Sequence, residues 1–215
     1  EDAYGQYEGQ FMITPIIMES DLEIVKIKIL QLKSSGEKKV HVDIGDGLFS
    51  DLLTISPADL QELELSDIKM DMPLMVDDPT EWIEECVALS PARLIAQIER
   101  MGSQKVFLET VESYGCEGGL ALGINTAIEE IEQDCLKTCK TILLLAIPAG
   151  TTGSPLDTRV IDKIKELRKV YAGKILIDGG INPATYKQVL EAGATEAGAN
   201  SAYWRGEWKL SDSIK

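Results

Sequence analysis

Short runs of apolar and β-branched residues recur along this chain, and between them lie longer stretches with helical apolar spacing and charged faces. That alternation is the pattern of repeated βα units and predicts a parallel sheet. Strands are expected over 11–17, 39–43, 68–72, 93–98, 119–124, 141–147, 174–178 and 196–200. Helices are expected over 21–32, 57–63, 79–88, 103–113, 126–137, 158–172 and 183–192, with a short one after Ser201. Several open on Ser, Thr or Asp caps or carry Pro in the first turn, and Gly193 after Ala192 fits a C-terminal stop. Trp82, Ile83 and Cys86 fit the buried stripe of the helix that follows Asp78-Pro79. Eight such units predict an α/β fold, a (β/α)8 TIM barrel occupying 11–215 as a single domain, with 1–10 a polar N-terminal tail. A doubly wound sheet is the lesser alternative, because no glycine-rich phosphate turn follows the first strand.

The 215 residues, 44% of them hydrophobic, can bury one sizeable core. A net charge of −15 repels phosphate backbones and anionic lipid, so neither nucleic acid nor a membrane surface is an expected partner. An anionic small substrate would have to be held by local amides acting against that field. The four cysteines, Cys86, Cys116, Cys135 and Cys139, are too few and too irregular for a disulfide framework, and they are expected to be ordinary thiols in a reducing cytoplasm. Glu129, Glu130, Glu132 and Asp134 read as the solvated face of a helix. Trp82, Trp204 and Trp208 read as packing residues or as part of a homo-oligomer contact.

In a parallel barrel the site is built at the carboxyl ends of the strands. His41 and Asp43 end the second strand two residues apart, on one face, and Asp46-Gly47 then turns the chain. Asp178 ends the seventh and runs into Gly179 and Gly180, whose freedom lets backbone amides approach a ligand. The sixth is followed by a loop from Ala149 to Ser154 that contains Gly150 and Gly153, and the eighth ends at Asn200-Ser201. Loops after the last strands of a barrel commonly hold phosphate, so a phosphorylated substrate is expected.

Three segments in order carry a resemblance. His41 to Phe49 with Leu53 to Pro57, Leu74 to Pro79, and Asp178 to Pro183 with Ala192 to Ala194 together resemble the signatures of the ribulose-phosphate 3-epimerase family, and the pattern extends from Ile13 to Trp204. The resemblance implies an isomerase that inverts C3 of a ketopentose phosphate through two acid–base aspartates, here Asp43 and Asp178. It also implies a divalent metal (Zn, Fe, Mn or Co) held by His41, Asp43 and Asp178, and a substrate held by Met75, Gly150, Gly153, Gly179, Gly180, Asn200 and Ser201.

The chain departs from that family at informative places. Pro73 stands where the family has its second metal-binding His, Ile16 where it has a first-strand Ser, Gln97 where it has a fourth-strand His, and Gly45 where it has a Met. Ala149 to Thr152 also differ from the family's loop. Glu19 or Asp71 could supply the metal with a replacement oxygen, and Pro73 removes a ladder N–H, which implies a bulge or strand end. These departures keep two other functions open: a catalytically weakened sugar-phosphate-binding relative, and a barrel enzyme acting on another sugar phosphate, such as a hexulose-phosphate lyase.

Overall fold

The structure, a computed structural model, describes residues 12–208. The expected tail at 1–10 and the first residue of the first expected strand, Phe11, lie outside the described residues.

The first half of the chain runs β1 (Met12–Ile17), α1 (Leu22–Ser35), β2 (Lys39–Val42), β3 (Ile44–Gly45), α2 (Pro57–Leu60), β4 (Lys69–Met75), α3 (Ile83–Val87) and β5 (Arg93–Gln97). The second half runs α4 (Gln104–Ser113), β6 (Glu117–Leu122), α5 (Gln133–Thr138), β7 (Thr141–Leu145), α6 (Arg159–Val170), β8 (Lys174–Asp178), α7 (Tyr186–Ala192), β9 (Glu196–Ala199) and α8 (Ser201–Trp204). Every named strand pairing is parallel, and β2 pairs with β4 as well as with β1, which closes the sheet on itself. β2 and β3 are one stave interrupted at Asp43, so the architecture is a (β/α)8 TIM barrel.

Caps set the register of the helices. Asp21 accepts hydrogen bonds from Glu23 and Ile24 amides at the start of α1, Gly36 closes that helix at φ 83°, and Ser56 and Asp59 form a reciprocal capping box on α2. One helix expected from periodicity is broken. Across 126–137 the chain makes a short 3-10 turn at Ile128–Glu130 and then the separate α5, because Glu130 turns back to accept from the Ala127 amide and Glu132 accepts from Gln104. The acidic residues there stay exposed, but not as one helix face.

Pro73 neither ends nor bulges its strand. β4 runs through it in register with Ile95 of β5. On the other side the ladder to β2 stops at His41↔Asp71 and resumes in β3 at Ile44↔Leu74. The residue without an N–H therefore falls in the gap that the interruption at Asp43 opens.

The main apolar core lies between sheet and helices, and a smaller one inside the barrel is formed by Ile95, Ala121, Leu143, Leu145 and Leu176. Beneath that inner layer, first-turn strand residues build a charged floor. Asp71 Oδ2 is shared by Arg93, Lys39 (3.1 Å) and His41 Nε2 (2.9 Å), while Arg93 also reaches Glu196 Oε2 at 2.6 Å. Burial opposes ionisation of Asp71, yet His41 and Arg93 beside it hold its carboxyl well below the usual range.

All four cysteines are free and buried, and burial pushes the Cys86 thiol up to about 12 and the other three to about 11. A thiol-specific reagent at pH 7.5 is accordingly expected to label the folded protein slowly and to find all four at once in urea.

Candidate active site

The sixth to eighth βα junctions and the β2–β3 break open on one cavity of about 210 Å³ at the carboxyl ends of the strands. Asp43 and Asp178 both line it. They come from staves separated by β1 and β9. Asp43 owes its place to the interrupted stave: its amide donates to Ile17 O at 2.9 Å, outside the β2 ladder, and its side chain turns into the barrel mouth. Asp178 is the last residue of β8, where Gly179 begins a left-handed turn at φ 106° and its amide donates back to the Asp178 carboxylate.

The electrostatics are those of two carboxyls with restricted access to water and acting on each other. Burial first, and the charge of Asp178 second, push Asp43 well above the ordinary carboxylate range. Burial likewise raises Asp178 to about 7, against the pull of the Gly179 N–H. Asp43 Oδ1 is buried with no hydrogen-bond partner among the described residues. A buried acceptor left in that state costs free energy until a proton or a ligand satisfies it.

Met75, Gly150, Gly153 and Gly179 line the same cavity, as do Gly180, Asn200 and Ser201. The glycines are required by geometry. At Gly180 (φ 66°) a Cβ would overlap the backbone N and Cα of Leu156, and at Gly150 (φ 74°) it would meet Ser50 and Leu52. Gly180→Ala is therefore expected to lift the 148–157 loop off the barrel, costing ~1–3 kcal/mol in a urea titration. It should also weaken binding of inorganic phosphate measured calorimetrically.

Ile16, where the family has its first-strand Ser, also lines the cavity, as do Met18 and Arg205, which the sequence reading passed over. Met18 is the first residue past β1, a position the strand-end rule could have flagged. Arg205, four residues after Ser201, is the only basic lining residue among those described and pairs with Glu207 at 2.7 Å.

His41 does not join them. It is fully buried, its Nε2 faces Asp71 in the floor, and it does not line the cavity. Ile16 lies over it: a Cβ built on Gly198 would sit 2.5 Å from Ile16 Cδ1 and 3.5 Å from His41 Nδ1, so an apolar side chain and the ring share that corner. Neither replacement oxygen arrives. Glu19 is bound to Lys28, and Asp71 belongs to the floor. Among the described residues no three His, Cys, Asp or Glu side chains are placed to hold a metal ion, so the donor set does not fit the metal that the resemblance implies. Gly45 has a local reason of its own, since Leu52 O lies 2.7 Å from where its Cβ would be.

Comparison with known proteins identifies the family. A family model described as the ribulose-phosphate 3 epimerase family matches residues 12–204. The chain is 28% identical to the ribulose-phosphate 3-epimerase of Chlamydia muridarum over 202 residues, covering 90% of this chain and 88% of that one. It is 26% identical to the protein of that name from Bacillus subtilis, covering 89% and 91%. Among solved structures, an N-acetylmannosamine-6-phosphate 2-epimerase from Clostridium perfringens superposes with a TM-score of 0.63 at 13% identity, over 90% of this chain and 87% of that one, which is a likeness of fold.

Proposed function

Because the chain belongs to the ribulose-phosphate 3 epimerase family, we propose that it inverts C3 of a ketopentose phosphate, ribulose 5-phosphate being the first substrate to test, with Asp43 and Asp178 as the acid–base pair. The observation that carries this reading is the convergence of two carboxyls from separate staves, Asp43 buried and Asp178 half-buried, on one cavity that glycine loops also line.

The chemistry follows from the protonation state. With Asp43 raised by burial and by the charge of Asp178, the two carboxyls ionise one after the other, so between the two steps one is a base while the other is an acid. The base takes the C3 proton, and the C–H electron pair moves to form the C2–C3 double bond of an enediolate. The acid then delivers its proton to C3 from the other face, and the electron pair returns to restore the C2 carbonyl. The pair ends with its proton on the opposite partner and is reset by exchange with water. Asp43 Oδ1, with no partner of its own, is the acceptor available to this cycle.

The substrate's phosphate is assigned to the Gly150–Gly153 loop, Gly180, Asn200 and Ser201, with Arg205 supplying the positive charge that a chain of net −15 otherwise lacks there. The test is incorporation of solvent deuterium at C3 of ribulose 5-phosphate. Exchange at that carbon supports the reading. Tight binding of the sugar phosphate without exchange would favour instead the weakened binding relative suggested by Pro73, Ile16 and Gln97.

A further inference from the structure

We propose that this chain keeps the family's carboxylate pair but has lost its metal site, so that Asp43 and Asp178 work without a bound divalent ion. The catalytic half of this statement rests on the epimerase reading; the half that concerns metal binding does not.

The argument is about donors. A catalytic transition-metal or zinc site takes about three protein ligands and leaves a position open for substrate. The cavity offers two, both carboxylates. Pro73 has no lone pair to replace the histidine expected at its position, and it is built into the strand, in register with Ile95, with its missing N–H in the ladder gap. A side chain that reached the cavity from there would need a different residue, not a different rotamer. His41 keeps Nε2 on Asp71 and leaves Nδ1 without a hydrogen-bond partner among the described residues, but the ring is fully buried and does not line the cavity. Ile16 blocks the way as well. It lines the cavity, it is 1% exposed, and it fills the corner beside Gly198 onto which His41 Nδ1 faces.

The substitutions are consistent with one another. The imidazole in the floor has Ile16 beside it across the β1–β2 pairing. A strand no longer required to present a ligand at position 73 tolerates proline where the ladder is already open. The two oxygens that could have compensated are committed elsewhere, Glu19 to Lys28 and Asp71 to Arg93 and Lys39. Each change taken alone would weaken a metal site. Together they remove the ligand at position 73 and set an apolar side chain, not a hydroxyl, beside the imidazole.

The experiment uses the whole chain purified without chelator. Metal content is measured by mass spectrometry, Co²⁺ is titrated while its visible d–d bands are recorded, and C3 deuterium exchange is followed with EDTA or with added Zn²⁺, Mn²⁺ or Co²⁺. Substoichiometric metal, no Co²⁺ bands, and exchange unchanged by chelator or metal are expected. The double variant Ile16→Ser/Pro73→His, which returns the two family side chains, should gain Co²⁺ bands that the parent lacks. One equivalent of metal in the parent, lost in Asp178→Asn, would overturn the inference while leaving the epimerase reading intact. Absence of exchange under every condition, with no metal bound, would sink the epimerase reading and still support the loss of the site.

Discussion

Asp178→Asn is expected to lower C3 deuterium exchange by ~10²–10⁴-fold, the usual worth of a positioned acid or base. The amide keeps the shape of the β8 end and its contact with the Gly179 amide but can neither take nor give the proton. Asp43→Asn should do the same, and the double variant should lose little more than either single one, because the two act as a unit. The parent's rate should trace a bell against pH. Once the pair is fully protonated no base remains, and once it is fully ionised no acid remains, so activity falls on both sides of the range where one proton is shared. Stability should move the other way. Asp178 has a folded value of about 7, above its unfolded one, so the stability tied to this group is complete below the ordinary carboxylate range and lost as pH rises toward 7. Asp178→Asn escapes that loss. Its melting temperature at pH 8 should exceed the parent's, and a lower value would show that the carboxylate is paired more favourably than burial allows.

The second large effect concerns the opposite end of the barrel. Arg93→Gln should destabilise the fold by ~3–5 kcal/mol in a urea titration at pH 7, because it strips Asp71 and Glu196 of the more buried of the two cations they share, leaving only Lys39. The sign of its pH dependence is fixed by the direction of the carboxyl shifts. Asp71 is held below its ordinary value by His41 and Arg93 against burial, and Glu196 by Arg93 and Lys39 against burial. Their contribution is therefore complete above ~4, the unfolded carboxylate value. It is lost as pH falls toward the folded values. The gap between parent and variant should narrow on acidification, and a gap that widened would refute the assignment of these charges as paired. The loops that line the cavity lie at the other ends of the strands, so variant protein that remains folded should keep its affinity for inorganic phosphate.

Much of the site was legible before any coordinates. The strand-end rule picked out Asp43, Asp178, the two glycine loops and Asn200-Ser201, and all of them meet at one cavity. It worked because a parallel barrel sends the carboxyl end of every stave to the same face, so position along a strand predicts position in space. The rule failed at His41, for a reason that alternation cannot express. His41 and Asp43 share a face of an unbroken strand, but the stave is interrupted at Asp43. Two residues along the strand is also a step in depth, which puts the imidazole in the floor beside Asp71 and the carboxylate in the mouth. Periodicity likewise ran 126–137 together as one helix, since the acidic spacing suits a helix whether or not Glu130 and Glu132 are turned to other amides.

Local rules, then, were enough for the barrel and for which loops form the site: apolar period, caps and the residues at strand ends act over a few positions and are written in the chain directly. Which polar groups pair was decided by tertiary structure alone. Arg93 and Glu196 are 103 positions apart and meet only once the sheet has closed, and Ile16 covers His41 only because β1 lies beside both β2 and β9. A side chain's partner inside a barrel is set by its depth along the axis and by the register of its neighbours, and neither quantity exists until the last strand has closed against the first.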